Sequence, residues 1–124
     1  MKKIIAFALL LFLSFSCAKT DDVASSDTEQ LTKLETDIND FIKDKSCGAE
    51  RTCGVIGFGS KPCGGNWKYL VYSLNAANEK ILVIKVTTYN DLQKAINIKN
   101  GAISDCSLAI KPDVICKDGI CQIK

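Results

Sequence analysis

The chain of 124 residues contains no histidine. This absence excludes catalytic sites of the Ser-His-Asp and Cys-His kinds and metal centres built on imidazole. The cysteine spacing includes no C-x₂-C pair, so we expect no zinc knuckle. No glycine-rich segment has the form of a phosphate-binding loop, and no carboxylate lies in a recognisable glycosidase motif. These absences favour a non-enzymatic protein without a cofactor or a bound metal.

The chain also lacks a large excess of charge of either sign. The chain has 16 Lys and Arg against 14 Asp and Glu, and removal of residues 1–16 would take away Lys2 and Lys3 and balance the two sets. A neutral protein has no electrostatic attraction for nucleic acid or for an acidic membrane surface. We therefore expect no nucleic-acid partner, and we expect the domain to be a monomer.

The N-terminus has the order of a secretory signal peptide. Basic residues at 1–3 precede the apolar run 4–13, which is too short to span a bilayer. Ser14 and Ser16 suit an ordinary signal peptidase, whereas Cys17 suits lipoprotein processing. We favour acylation of Cys17, which would anchor the protein in the outer membrane. A periplasmic or secreted protein is the alternative.

The segment around Cys17 resembles the N-termini of Bacteroidota lipoproteins. Leu13 lies four residues before the cysteine instead of the usual three, and such loosened lipoboxes are common in that group. The pair Asp21-Asp22 resembles the acidic signal that sends some of these lipoproteins to the cell surface. The resemblance implies an outer-membrane lipoprotein that is exposed at the surface.

Seven cysteines are present, and six remain once Cys17 is assigned to lipid. Exported cysteines meet an oxidising compartment, so an even number predicts three disulfides. Six cysteines allow 15 connectivities, and the sequence does not choose among them. The six are Cys47, Cys53, Cys63, Cys106, Cys116 and Cys121.

Three regions follow from composition: a signal peptide at 1–16, a lipidated and flexible tether at 17–28, and one disulfide-stabilised domain at 29–124. Ser26 and Glu29 have the spacing of a capping box, and an apolar stripe at helical spacing follows them. A helix is therefore predicted from about 28 to 45. Strands are predicted at 52–58 and 67–74, where β-branched and aromatic residues are frequent.

The stretch 79–98 combines two signals. Its β-branched residues between Ile81 and Thr88 favour a strand, whereas an apolar stripe that steps by three or four residues favours a helix. We predict a helix, because the stripe continues beyond the β-branched run and ends at Asn100-Gly101. Its members are Leu82, Val86, Tyr89, Gln93 and Ile96.

The tail contains two strand candidates, 107–110 and 113–116, and a hairpin signal at Asp118-Gly119. A two-residue turn there would place Cys116 opposite Cys121, either bonded to each other or each bonded elsewhere. The predicted fold is α+β: a small disulfide-rich domain with an N-terminal amphipathic helix, a small antiparallel sheet, a second helix and a C-terminal β-hairpin.

Four segments together resemble a family of small exported bacterial proteins, many of them lipoproteins. They are GSKPCGGNWKYLVYS at 59–73, TTYNDLQKAIN at 87–97, SDC at 104–106 and PDVICKDGIC at 112–121. The likeness covers roughly residues 47–121, and its longest motif has the form G-x-K-P-C-G-G-P-W-x-Y-L-x-Y-S. The resemblance implies a helix over the Tyr-Asn segment and an exported domain, but it implies no particular activity. Asn66 departs from the pattern, which usually has proline there.

The glycine-rich and proline-containing loop Gly57–Gly65 is the candidate binding element. A cross-linked, preorganised loop loses little entropy when it docks, as in small disulfide-rich protease inhibitors. We therefore predict a binding protein, with inhibition of a secreted hydrolase such as a protease as its leading function. A structural or assembly lipoprotein of the cell envelope is the alternative. The candidate binding residues are Phe58, Ser60, Lys61, Pro62 and Asn66.

The loop has a plainer interpretation as a turn between two strands. Under that interpretation Trp67 and Tyr69 lie in the core, because aromatic residues dominate small cores. Lys61 has no obvious packing role in the sequence, and we expect it at the exposed loop tip. Whether the loop protrudes or is covered by the second helix discriminates between the two interpretations.

Overall fold

The computed structural model describes residues 21–124, with side chains from Ser26 onward. The predicted signal peptide at 1–16 and the predicted lipidation site Cys17 lie outside the described residues. Within the described part, no helix combines the length and the hydropathy needed to cross a membrane. The elements in chain order are α1 (Asp21–Phe41), β1 (Thr52–Phe58), β2 (Lys68–Leu74), α2 (Ala76–Lys99), β3 (Val114–Lys117) and β4 (Ile120–Ile123).

Helix α1 begins at Asp21, so residues 21–28 are helical and not the flexible tether that composition predicts. Ser26 and Glu29 lie inside the helix and do not mark its start. The helix also ends earlier than predicted, at Phe41, after which Asp44 accepts a hydrogen bond from the backbone N–H of Ser46 at 2.9 Å. That local turn competes with the helix for the same backbone donors.

The predicted apolar stripe of α1 is confirmed. Ile38 and Ile42 are buried, and Leu31, Leu34 and Phe41 are partly buried against the same core. Helical spacing places residues three and four apart on one face, and that face is the one that packs on the rest of the domain.

Strands β1 and β2 form an antiparallel hairpin whose register runs from Thr52 opposite Leu74 to Phe58 opposite Lys68. Both strands are confirmed as predicted, β2 beginning one residue later. Gly54 pairs with Tyr72, and a Cβ at Gly54 would lie 2.2 Å from the Tyr72 ring. Glycine is therefore required there, because the buried ring occupies the space of a side chain.

Helix α2 resolves the ambiguous stretch in favour of helix, from Ala76 to Lys99. Asn75 caps its start by accepting a hydrogen bond from Asn78 N at 2.9 Å, and Gly101, with φ of 59°, follows its end. Leu82, Val86 and Tyr89 are buried, as the stripe predicts. Packing of this stripe outweighs the strand propensity of the β-branched residues.

One core lies between the two helices and the first hairpin. The rings of Phe58 and Tyr89 stack within it, with centroids 4.2 Å apart. Its buried members are Ile38 from α1, Ile42 directly after α1, Phe58, Tyr72 and Leu74 from the hairpin, and Leu82, Val86 and Tyr89 from α2.

The hydroxyl of Tyr72, which can titrate, lies at the edge of this core. Its hydroxyl donates to Glu79, and burial, followed by the Glu79 carboxylate, raises the pKa of Tyr72 from 10.0 to about 12. A raised folded-state pKa contributes stability that is complete below pH 10 and is lost as the pH rises towards 12. We therefore expect the free energy of unfolding to fall over this pH window, and to fall less steeply in Tyr72→Phe, as measured by urea unfolding. Equal slopes in the two proteins would contradict this assignment.

The tail forms a second two-stranded antiparallel sheet from β3 and β4. Asp118 and Gly119 both have positive φ, 53° and 76°, as the predicted two-residue turn requires. The outer edge of β4 pairs with the segment after α1, where Cys121 N donates to Lys45 O at 2.8 Å. Residues 107–110 form no strand, so that prediction is wrong: β3 pairs with β4, and no described strand lies beside 107–110.

All six cysteines of the domain are paired, which confirms three disulfides: Cys47–Cys116, Cys53–Cys121 and Cys63–Cys106. Cys116 and Cys121 do lie opposite each other, but each bonds elsewhere. The first two disulfides join the second hairpin to the first half of the domain, and the Sγ atoms of Cys47, Cys53 and Cys121 lie within 4.8 Å of one another. The α+β, disulfide-rich fold is confirmed, with two small sheets.

Candidate functional site

The loop Gly57–Gly65 lies against α2. Asn90 Oδ1 accepts from the N–H of Gly59 at 2.7 Å, and Gln93 Oε1 accepts from the N–H of Ser60 at 2.6 Å. Asn97 completes the row by donating to the Ser60 carbonyl at 2.8 Å. Asn90, Gln93 and Asn97 are three and four residues apart, so they form one polar stripe along α2. The helix therefore covers the first half of the loop.

Lys61 is buried, with 7 % of its surface exposed, so the prediction of an exposed basic loop tip is wrong. Its Nζ donates to Asp105 Oδ1 at 2.9 Å, to Ser107 O at 2.7 Å and to Ser107 Oγ at 3.0 Å. These three acceptors match the three donors of an ammonium group. The same hydrogen bond from Lys61, with one from Ser107, holds the pKa of the Asp105 carboxyl below its usual value.

The Lys61–Asp105 ion pair and the Cys63–Cys106 disulfide join the same two segments of the chain. Cys106 lies between Asp105 and Ser107, and it bonds Cys63, two residues after Lys61. We call this arrangement the Lys61 clamp: Lys61, Cys63, Asp105, Cys106 and Ser107. The clamp fixes the irregular tail after α2 to the loop, and this packing role is not visible in the sequence around Lys61.

The other candidate loop residues are distributed between core and surface. Phe58 is buried in the core, and Ser60, Pro62 and Asn66 are half-buried. Pro62 lines a cleft of about 380 Å³ between the loop and the C-terminal end of α2, next to Ile98. Only the tip at 63–65 is exposed, and glycine supplies two of its three residues.

Trp67 is 46 % exposed, so its predicted place in the core is wrong. Its ring lies beside Gly59, where a Cβ would come within 2.7 Å of Trp67 Cδ1 and where φ is +82°. Lys61 Nζ lies 5.0 Å from the Trp67 ring centroid, within the range of a cation–π contact. Gly59 and the buried Lys61 thus contact the side of the Trp67 ring that faces the protein.

Trp67 forms part of a concave site of about 370 Å³ that we call the Trp67 pocket. The pocket is assembled from α1, β1, the loop, the start of β2 and α2. Its lining residues are Glu35, Phe58, Gly59, Trp67, Lys68, Tyr89 and Gln93.

The polar groups of the Trp67 pocket include both donors and acceptors. Lys68 Nζ lies 3.2 Å from Glu35 Oε1 and 5.1 Å from the Phe58 ring centroid. Gln93 uses its carbonyl oxygen for the loop, so its NH₂ group keeps no partner within the described residues. Burial, followed by the Glu35 charge, raises the pKa of Tyr89 above its ordinary value. The lining residues of the pocket thus present both hydrogen-bond donors and acceptors.

Sequence reasoning found Phe58 but missed Glu35, Lys68, Tyr89 and Gln93 as site residues. Tyr89 and Gln93 belong to the predicted α2 stripe, where they read as ordinary packing positions. Glu35 occupies a polar position of α1, which alone says nothing about a site. Only the packing of α1 and α2 on the first hairpin brings these residues to Trp67.

No protein-family model, no curated protein and no solved structure matches the chain. The resemblance to small exported bacterial proteins therefore stays a prediction from the motifs quoted above.

Proposed function

We propose that the protein is an exported, non-enzymatic binding protein, anchored to the outer membrane by lipid on Cys17, whose ligand occupies the Trp67 pocket. The observation that carries this proposal is the exposed tryptophan at a pocket where the Gln93 NH₂ group has no partner within the described residues. Small-molecule sites commonly combine aromatic walls with a few polar groups that orient the ligand. Two disulfides, through Cys53 on β1 and Cys63 in the loop, hold elements of the pocket in place before binding, which reduces the entropic cost of binding.

In this proposal the residue that contacts the ligand is Trp67, whereas the sequence had suggested Lys61. The sequence suggested inhibition of a secreted hydrolase through a basic loop tip, but Lys61 is turned inward to Asp105 and Ser107. A substrate-like protease inhibitor inserts a side chain into the specificity pocket of the enzyme. The exposed tip offers only Cys63, which is bonded, and two glycines. Inhibition stays a prediction, and its contact would have to lie elsewhere on the surface.

The loss of a large exposed ring tests the proposal. The exported protein carrying Cys17→Ser, immobilised through its C-terminus, should retain a component of an envelope extract. Trp67→Ala should retain it more than tenfold less well, which corresponds to about 1.4 kcal/mol. Because the ring is half exposed, this variant should lose only about 1–2 kcal/mol of stability, less than a core truncation.

Two control variants sharpen this test. Trp67→Phe keeps an aromatic face and should retain the component, whereas Ile98→Ala removes an exposed apolar side chain at the other cleft and should bind normally. If Trp67→Ala and wild type retain the same components equally, the Trp67 pocket is not the binding site.

Anchoring is tested separately. Wild-type protein should partition with membranes, and Cys17→Ser should be released, because acylation is lost with the thiol. Stable retention requires more than one acyl chain, since a single chain binds only marginally. Mass spectrometry of the membrane-bound protein should show the lipid on Cys17. Unacylated wild-type protein beginning at or just after Cys17 would remove the lipoprotein part of the proposal.

A structural or assembly lipoprotein is the second candidate. The covering of the loop by α2 favours it, because a loop that is tied down through Asn90, Gln93 and Asn97 is part of the scaffold. This candidate predicts that substitutions in the Trp67 pocket leave the behaviour of the envelope unchanged, while substitutions that unfold the domain do not.

A further inference from the structure

The charges around the Trp67 pocket are already neutralised within the protein. Lys68 pairs with Glu35 at 3.2 Å, and Lys61, behind the tryptophan ring, pairs with Asp105 at 2.9 Å. The Glu35 carboxylate would repel an added anion. The ammonium groups of Lys68 and Lys61 would repel an added cation. A charged ligand would therefore have to break one of these pairs, so the pocket favours a neutral one.

The aromatic rings further exclude a cationic guest. Sites for quaternary ammonium ions surround the cation with aromatic faces. Lys68 Nζ lies 5.1 Å from the Phe58 centroid within the pocket, and Lys61 Nζ lies 5.0 Å from the Trp67 centroid behind the ring. A cationic guest would therefore be repelled by Lys68 in the pocket and by Lys61 across the Trp67 ring.

The remaining surface combines one exposed flat ring with polar groups of both kinds. Glu35 supplies acceptors, and Lys68 and the Gln93 NH₂ group supply donors. A purely aromatic guest would cover the ring but leave the Gln93 NH₂ group without a partner, which is costly once water is displaced. A guest with one apolar face and several hydroxyl groups would satisfy both the ring and the polar groups.

The geometry points to a neutral sugar ring, a hexopyranose unit of a glycan, as the ligand of the Trp67 pocket; this inference rests on the function proposed above. The C–H groups on one face of a pyranose form a flat apolar surface that covers the Trp67 ring. Its hydroxyls both donate and accept, as Glu35, Lys68 and Gln93 require. The volume of about 370 Å³ is near the lower end for small-molecule sites, which suits one ring of a longer chain.

The experiment uses the fact that Trp67 is the single tryptophan of the chain, so its fluorescence reports on this pocket alone. The disulfide-bonded exported protein carrying Cys17→Ser is titrated with the methyl glycosides of glucose, galactose and mannose and with glucose disaccharides. We expect at least one to change the Trp67 emission saturably, with a dissociation constant in the millimolar range or below. The same sugar should shift the indole N–H and the Gln93 side-chain amide in ¹H–¹⁵N spectra.

Binding of charged sugars, and binding by substituted proteins, tests how the pocket recognises its ligand. The uronic-acid and amino-sugar forms of the sugar that binds should bind at least fivefold more weakly. Gln93→Leu should weaken binding by about tenfold, and Ile98→Ala should leave it unchanged. Because Gln93 also holds the loop, Asn97→Leu, which removes a loop hydrogen bond outside the pocket, is its matched control and should bind as wild type does.

Two failures are distinguishable. If no neutral glycoside or disaccharide shifts the indole N–H, but N-acetyltyrosinamide or choline does, the pocket binds ligands and the sugar assignment is wrong. If none of these probes shifts it and the Trp67→Ala column retains the same components as wild type, the proposed function falls together with the inference.

Discussion

Lys61→Glu is expected to destabilise the domain by about 3–5 kcal/mol, because it places a carboxylate without a cationic partner at a buried position. The introduced carboxylate would lie against Asp105 and the carbonyl of Ser107, which now accept from the ammonium group. Total stabilities of small domains are about 5–15 kcal/mol, so a large part of the stability would be lost. Urea unfolding followed by far-UV circular dichroism measures the change.

Two further substitutions locate the origin of that loss. Lys111→Glu makes the same charge reversal at an exposed position and should change stability by no more than about 0.5 kcal/mol. Lys61→Met keeps the apolar stem and should cost about 1–3 kcal/mol, because the Ser107 groups lose their donor while Asp105, 71 % exposed at its side chain, stays hydrated. If Lys61→Glu is as stable as Lys111→Glu, the Lys61 clamp does not hold the tail.

Removal of the Cys53–Cys121 disulfide by the double substitution Cys53→Ser/Cys121→Ser is expected to cost about 3 kcal/mol. Cys47–Cys116 stays intact and joins the same two segments, so the loop that opens consists only of residues 47–53 and 116–121 and the unfolded chain gains a limited entropy. A loss of this size should lower Tm by on the order of 15 °C in a domain of this length. Differential scanning calorimetry of the wild-type and variant proteins measures it.

Cys63→Ser/Cys106→Ser is the matched control, since the two remaining disulfides also shorten the loop that it opens and its entropic term is again about 3 kcal/mol. Any additional loss in Cys53→Ser/Cys121→Ser therefore reports on the packing of β3 and β4 against β1. The three-disulfide assignment predicts no free thiol in the mature protein other than that of an unacylated Cys17. Two reactive thiols in the denatured, unreduced Cys17→Ser protein, or a loss below about 1 kcal/mol, would contradict the expected role of this bond.

The sequence predicted helices and hairpins best where the signal repeats over several turns or depends on one turn type. The stripe through Leu82, Val86 and Tyr89 identified α2 despite its β-branched residues, and Asp118-Gly119 identified the second hairpin. Both signals are local, because they depend on residues that are close along the chain.

Helix ends were predicted less well. Residues 20–28 include several that can cap a helix, so the capping-box spacing at Ser26 and Glu29 did not identify which of them begins α1. The strand predicted at 107–110 is wrong for a different reason. Their composition suits a strand, but a strand needs a partner, and Leu108 and Ile110 stay exposed beside the clamp.

The sequence by itself determined that the domain is α+β, that its six cysteines pair in three disulfides, and that no histidine chemistry is available to it. These properties follow from composition, periodicity and an even cysteine count. Only the tertiary structure decided the pairing of the cysteines and the places of Lys61 and Trp67. Lys61 is buried because Asp105 and Ser107, more than 40 residues away along the chain, supply its acceptors. Trp67 is half exposed, whereas Phe58 and Tyr89 stack in the core, and long-range contacts of this kind leave no local pattern in a sequence.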